Sequence, residues 1–266
     1  MTESTVVQQL RAAGCVFAED EARLLIAASA TPAELAVLVD RRIAGLPLEH
    51  LLGWAEFAGL RIALEPGVFV PRRRSEFLAA QAATLARPDA VVVDLCCGSG
   101  AIGAAVRAVV PGIRLYAADI DPVAVRCARR NVSGQVFLGD LFEPLPIAVR
   151  GRVSVLVANV PYVPSGAIEL MPPEARVHEP LVALDGGADG LDVLRRVAAG
   201  AVEWLAPGGQ LLVETSEQQA PVAVDVFTRN GLRSRVAIDD ELGATVVTGA
   251  LPFAENLSGS CGTMRQ

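Results

Sequence analysis

Four short apolar runs that alternate with helix-spaced segments fix most of what this chain can fold into. The runs span residues 90–95, 113–118, 135–138 and 153–158, with helical apolar spacing over 101–110 and 122–131. A strand that is apolar along its whole length is buried on both faces, and an intervening helix lets two such strands lie parallel. The pattern predicts a doubly wound α/β sheet. Further strands are expected at 210–215, 232–238 and 244–250, and further helices at 76–86, 191–205 and 217–229. Only Asp239-Asp240-Glu241-Leu242-Gly243 joins the last two strands, which is too short for a crossover helix. That pair is expected to be antiparallel, making a mixed sheet of seven strands.

Ahead of the sheet, apolar residues recur at helical spacing in three groups: Val6, Val7 and Leu10; Ala22, Leu25 and Ile26; and Leu35, Leu38, Val39 and Ile43. They predict a small helical domain over residues 1–52. Its third helix carries a start signal, because Thr31 can cap it, Pro32 suits its first turn and Glu34 completes a capping box. A linker over 53–75 follows, in which Phe57-Ala58-Gly59-Leu60-Arg61-Ile62 reads as a hairpin. The sheet domain then runs over 76–252 and a flexible tail over 253–266.

Composition narrows the function. Hydrophobic residues make up 52% of the 266, yet polar residues, Gly or Pro interrupt each apolar run before the roughly 18 residues that a membrane span requires. With no export signal at Met1-Thr2-Glu3-Ser4, the expected setting is soluble and cytoplasmic. The five cysteines lack CxxC spacing and the two histidines, His50 and His178, lie far apart, so neither a disulfide frame nor a metal site is expected. A formal charge of −7 opposes nucleic-acid binding through the overall field.

Chemistry-bearing residues follow four of the strands. After the first come Asp94-Leu95-Cys96-Cys97-Gly98-Ser99-Gly100, where Gly98 and Gly100 let a ligand approach the backbone closely. Residues 98–103 match GxGxxG, which also describes a dinucleotide site or a plain strand-to-helix turn. After the second, Asp119 can hold both hydroxyls of a ribose, whereas Asp121 before Pro122 is a helix N-cap. After the third, Asp140 can accept from an adenine amino group and Leu141 can flank its ring; a turn residue is the alternative for Asp140. After the fourth comes Asn159-Val160-Pro161-Tyr162. The Asn159 side-chain oxygen and the Val160 carbonyl can each accept one N–H of a planar amino group, with the Tyr162 ring stacked on it and Pro161 stiffening the turn. A Pro-containing turn closed by Asn is the bland alternative.

Taken in order, these motifs resemble the HemK/PrmC family of protein glutamine N5-methyltransferases, which carries Asn-Pro-Pro-Tyr at the fourth position. The resemblance extends over residues 31–250 and includes Pro47-Leu48-Glu49-His50-Leu51-Leu52-Gly53, Gly67-Val68-Phe69-Val70-Pro71-Arg72, Ser75-Glu76 and Glu179-Pro180-Leu181-Val182-Ala183-Leu184. It implies a Rossmann-like class I S-adenosylmethionine-dependent domain preceded by a helical domain that docks the protein substrate. By resemblance Asp94 and Cys96 to Gly100, with Cys97 and Ser99, wrap the methionine part of S-adenosylmethionine. Asp119 and Ile120 take the ribose, Asp140 and Leu141 the adenine, and Asn159 adjoins the methyl donor. Asn159, Val160, Pro161 and Tyr162 hold the glutamine amide, and Glu179 shapes its pocket. The implied partner is a translation release factor. Four departures mark a divergent member: Val160 replaces the first proline, Cys96 and Cys97 replace glycine and a small hydroxyl residue, Arg73-Arg74 replaces Pro-Glu, and Leu141 stands where an aromatic ring is common.

Other readings remain open on the residues alone. An N6-adenine methyltransferase would use the same Asn-x-Pro-aromatic site on a flipped base. A non-catalytic cofactor-binding docking protein would suit the altered glycine loop, and a nicotinamide dehydrogenase would rest on residues 98–103 alone. Arg72, Arg73 and Arg74 are expected to be solvated charge, with docking of an acidic partner surface or a phosphate backbone as the alternative. Pro207-Gly208-Gly209-Gln210 reads as a turn between a helix and a strand.

Overall fold

The computed structural model describes residues 1–253. Apart from Phe253, the tail expected over 253–266 lies outside the described residues. Helices α1 (Glu3–Ala12), α2 (Ala18–Ala28) and α3 (Pro32–Ile43) pack their predicted apolar stripes on one another around Val6, Leu10, Leu25, Leu35 and Val39. Thr31 Oγ1 accepts from the Glu34 N–H at 3.2 Å, as a capping residue should, while Glu34 reaches one residue further back than expected, to the Ala30 N–H. The Pro47–Gly53 motif contains a short helix, α4 (Leu48–Leu52), which leads into hairpin β1 (Trp54–Phe57) and β2 (Leu60–Ala63). Ala58 and Gly59 form its turn, both at positive φ, which is the geometry of a two-residue hairpin that matches strand twist.

The sheet follows the predicted alternation: α5 (Ser75–Leu85), β3 (Val91–Leu95), α6 (Ala101–Val109), β4 (Arg114–Asp119), α7 (Pro122–Asn131), β5 (Gln135–Leu138) and β6 (Val153–Ala158). Then come α8 (Pro173–His178), α9 (Asp192–Trp204), β7 (Leu205–Thr215), α10 (Ala220–Arg229), β8 (Arg233–Asp239) and β9 (Ala244–Ala250). The strand order is β5-β4-β3-β6-β7-β9-β8, with β9 antiparallel to both of its neighbours and the rest parallel. Alternate residues feed two apolar layers. Val93, Leu95, Leu156 and Leu211 face α9 and α10, while Val92, Val155, Val157 and Leu212 face α5, α6 and α7.

Two expectations need adjusting. The Pro207-Gly208-Gly209-Gln210 segment belongs to β7, which starts at Leu205 and absorbs the glycines at a register irregularity against β6. The segment after Tyr162 is not bare loop, because 3-10 turns at Ser165–Leu170 and Leu181–Ala183 flank α8. Arg42 of α3 ties that segment to the helical bundle. Its guanidinium meets Glu21 of α2 through two bonds, Nε at 2.6 Å and Nη2 at 3.1 Å, with both side chains 10% exposed. Nη1 also reaches Glu174 at 3.3 Å.

Removing one partner of a mostly buried pair strands the other charge. Arg42→Met is therefore expected to lower stability by about 3 kcal/mol in urea unfolding, whereas Arg42→Met combined with Glu21→Leu should recover most of that loss.

Candidate active site

Parallel register sets the site. Leu95 pairs with Ala118 on one side and with Ala158 on the other, so β3, β4 and β6 end level. The loops that leave them open on one edge, at the point where the strand order reverses between β3 and β6, and such points are where open α/β sheets bind ligands. A cavity of about 540 Å³ lies there. Its lining includes Cys96, Cys97, Gly98, Ser99, Asp119, Ile120, Asp140, Leu141, Asn159, Val160, Pro161, Tyr162 and Glu179. Asp94 and Gly100 sit just behind it.

The glycine loop is shaped by left-handed backbone. Gly98 has φ 55° and a Cβ there would meet open space, whereas at Gly100, φ 78°, a Cβ would lie 2.5 Å from Val132 Cγ2. Cys96 also has φ 54°, a conformation that an L side chain adopts only at a cost. Burial pushes the thiols of Cys96 and Cys97 well above the usual cysteine range, and Asp94 and Asp119 push them the same way. They are packing thiols, not reactive thiolates. Asp94 is fully buried; its Oδ2 accepts from the Gly103 N–H at 2.9 Å and its Oδ1 has no partner. Burial pushes its carboxyl up to about 7, against the pull of the Gly103 N–H.

Asp119 Oδ2 accepts from the Gly98 N–H at 2.8 Å and Oδ1 from the Asp121 N–H at 2.9 Å. Each oxygen keeps a lone pair toward the cavity. Asp121 is the N-cap of α7, accepting from the Val123 N–H at 2.8 Å. Asp140 Oδ2 is held by Arg196 Nη2 at 2.5 Å, and Leu141 follows at φ 48°. Asn131, on α7, accepts from the Ala63 N–H and donates Nδ2 to the carbonyls of Ala63 and Ser99, all at 2.8 Å. Hairpin and glycine loop are thus bonded through one side chain.

At the far end of the cavity Asn159 donates Nδ2 to Ser75 Oγ at 3.3 Å. Among the described residues neither the Asn159 Oδ1 nor the Val160 carbonyl accepts a hydrogen bond. Tyr162 donates its hydroxyl to Glu214 Oε1 at 3.1 Å and accepts from Arg74 Nη2 at 2.5 Å. Burial, reinforced by Glu214, pushes its phenol up to about 12. Glu179 is 1% exposed in its side chain and accepts from Arg72 Nη2, at 2.6 Å and 2.7 Å, and from the Val70 N–H at 3.1 Å. The expectation of solvated arginines is corrected at Arg72, which is half-buried and paired with Glu179; Arg74 is exposed, as Arg73 is, but pairs with the buried Glu214, and Arg72 and Arg74 both line the cavity. Glu214, Arg196, Asn131 and Gln219 join the site without belonging to any of the four motifs. Glu214 alone carried a signal, a carboxylate at the end of an apolar strand, as Asp94 is.

This strand order and the loops at its switch point define a class I S-adenosylmethionine-dependent methyltransferase fold. A methyltransferase from Pyrococcus furiosus shares it with a TM-score of 0.56 at 16% identity, over 73% of this chain and 90% of that one. Residues 59–170 match the methyltransferase small domain. A release factor glutamine methyltransferase of Geobacter sulfurreducens is 37% identical over 226 residues, which is 82% of this chain and 78% of the relative. One from Gloeobacter violaceus is 41% identical over 207 residues, 74% of this chain and 71% of the relative. The chain belongs to the release factor glutamine methyltransferase family.

Two measurements follow from the strained and buried groups of this loop. Cys96→Gly should stabilise the fold by about 1 kcal/mol in chemical unfolding, because glycine adopts the left-handed backbone at no steric cost. Asp94 holds its proton up to about pH 7 when folded but releases it near 3.8 when unfolded. Its contribution to stability is therefore lost as pH rises from about 4 to 7. Thermal unfolding of Asp94→Asn across that range should show a flatter pH dependence.

Proposed function

We propose that this chain transfers a methyl group from S-adenosylmethionine to the side-chain amide nitrogen of a glutamine in a translation release factor. The observation that carries the reading is the pair of free acceptors, Asn159 Oδ1 and the Val160 carbonyl, on consecutive residues that line the cavity together with Tyr162. An amide nitrogen is a weak nucleophile because its lone pair is shared with its carbonyl. Two acceptors that each take one N–H fix the nitrogen and leave its lone pair aimed along the cavity, so positioning supplies much of the rate. Release factor methylation is also the activity in the names of the relatives.

The groups at the other end of the cavity suit the cofactor. Asp119 has two lone pairs for ribose hydroxyls, the backbone at Gly98 leaves room for the methionine part, and Asp140 Oδ1, with Leu141 beside it, suits the adenine. S-adenosylmethionine supplies an electrophilic methyl group on a sulfonium. The chain's own residues orient the nucleophile and screen it from water; the proton leaves the methylated nitrogen for solvent, so no side chain is assigned as a general base. Glu179 acts at one remove, holding Arg72 and the Val70 backbone as a wall of the pocket.

The test is to incubate the protein with purified release factor and methyl-labelled S-adenosylmethionine, then locate the label by mass spectrometry. Label on a glutamine amide supports the reading, and an unlabelled release factor overturns it. Asn159→Ala should lower kcat by about 100-fold, the scale seen when one preorganised hydrogen-bonding group is removed, with a much smaller change in cofactor affinity by calorimetry.

A further inference from the structure

The turn Asn159-Val160-Pro161-Tyr162 is gripped at both ends by two consecutive residues at the start of α5. Ser75 takes the Asn159 amide at 3.3 Å, and Arg74 takes the Tyr162 hydroxyl at 2.5 Å. From the sheet side Glu214 of β7 accepts from the same hydroxyl, and Gln219 donates Nε2 to the Tyr162 carbonyl at 2.9 Å. Arg74 Nε also meets Glu214 at 3.1 Å and its guanidinium lies 5.8 Å from the Tyr162 ring centre, so three side chains close on one another.

What the grip holds is a turn with one ring fewer than it could have. Pro161 fixes its own φ and biases the residue before it toward extended backbone. Val160 has no such ring, and among the described residues its N–H donates to no group, so no hydrogen bond pins it either. Its carbonyl is one of the two proposed acceptors, and a rotation there moves the acceptor off the amide. Arg74 and Val160 are both positions at which this chain departs from the pattern it resembles, and both act on this one turn.

We propose that Arg74 and Glu214 are positioning residues that clamp Tyr162 and thereby hold the Val160 carbonyl on target, substituting for the rigidity that a proline at 160 would give. The inference rests on the methyl-transfer reading above. It assigns the two residues no contact with the reacting atoms. Glu214 is 2% exposed with Oε2 unpartnered, so Arg74 is its counter-charge as well as its partner in the clamp.

The experiment pairs Arg74→Met/Glu214→Leu, which removes both charges together so that neither is stranded, with Val160→Pro. In the parent background the double substitution should lower kcat about tenfold with KM for S-adenosylmethionine within about twofold. In the Val160→Pro background the same substitution should cost less than about threefold, because the two restraints are coupled. Glu214→Gln keeps an acceptor for the hydroxyl and should hold kcat within about threefold. The chain has two tyrosines, Tyr116 and Tyr162, so 3-fluorotyrosine labelling gives two fluorine resonances. That of Tyr162 should move and broaden in the double variant while that of Tyr116 stays. An equal loss of kcat in both backgrounds, or an unchanged Tyr162 resonance, overturns the clamp. If the parent protein transfers no methyl at all, the methyl-transfer reading fails, and the fluorine spectrum still decides whether Tyr162 is held.

Discussion

Parallel pairing of β3 with β4 and β6 is the constraint on which the rest of the molecule depends. Three strands that end level deliver three loops to one edge, and the reversal of strand order between β3 and β6 opens a crevice there. Everything chemical is then placed by short excursions from fixed points. Asp119 comes from the end of β4, Asn159 from the residue after β6, and the glycine loop from the residues after β3. A slip of one residue in either pairing of β3 would turn its side chains to the opposite layer and take Asp94 off the Gly103 N–H that it accepts from.

Charge inside the site is arranged in pairs that span distant segments. Arg72 with Glu179, Arg74 with Glu214 and Arg196 with Asp140 each join parts of the chain separated by 56 to 140 residues. The buried carboxylates of Glu179 and Glu214 each have an arginine, whereas Asp94, behind the cavity, and Asp119, on its lining, are held by backbone N–H groups alone. Glu179 and Glu214 spend their arginine pairs on building walls, Asp140 keeps Oδ1 beside its pair with Arg196, and Asp119 meets the cavity without any arginine. Pairing across distant segments also explains why the arginine run could not be read correctly from sequence. Nothing local distinguishes Arg72 and Arg74 from Arg73, and their partners lie over 100 residues away.

The sheet was legible because its signals are local. Uniformly apolar runs, a Pro after Asp121 and a five-residue link between the last strands each have one physical reading, and every reading of Gly98 and Gly100 puts a strand-to-helix turn there. The site motifs were legible as positions, since each follows a strand end. The supports were not: Glu214, Arg196, Asn131 and Gln219 act through contacts made only once the chain has folded, and a lone Asn or Gln in sequence has many ordinary explanations. The mixture of 3-10 turns and a six-residue helix after Tyr162 was missed for a related reason, since its apolar residues are too few and too irregular to establish a period.

Asn131 commits its side chain to three bonds, two to Ala63 at the end of the hairpin and one to the Ser99 carbonyl in the glycine loop. The hairpin follows directly on the helical bundle, so the Asn131 amide, together with the packing of Phe57 and Ile62 in the same apolar layer as Cys97, connects the bundle to the glycine loop. Linkage is reciprocal: whatever free energy a load on the hairpin transmits to the loop, a load on the loop transmits back in equal measure. If a bulky partner leaning on the bundle side tightens the grip on a small molecule at Ser99, that small molecule must tighten the grip on the partner by the same factor, and the two would then arrive and leave as a correlated pair.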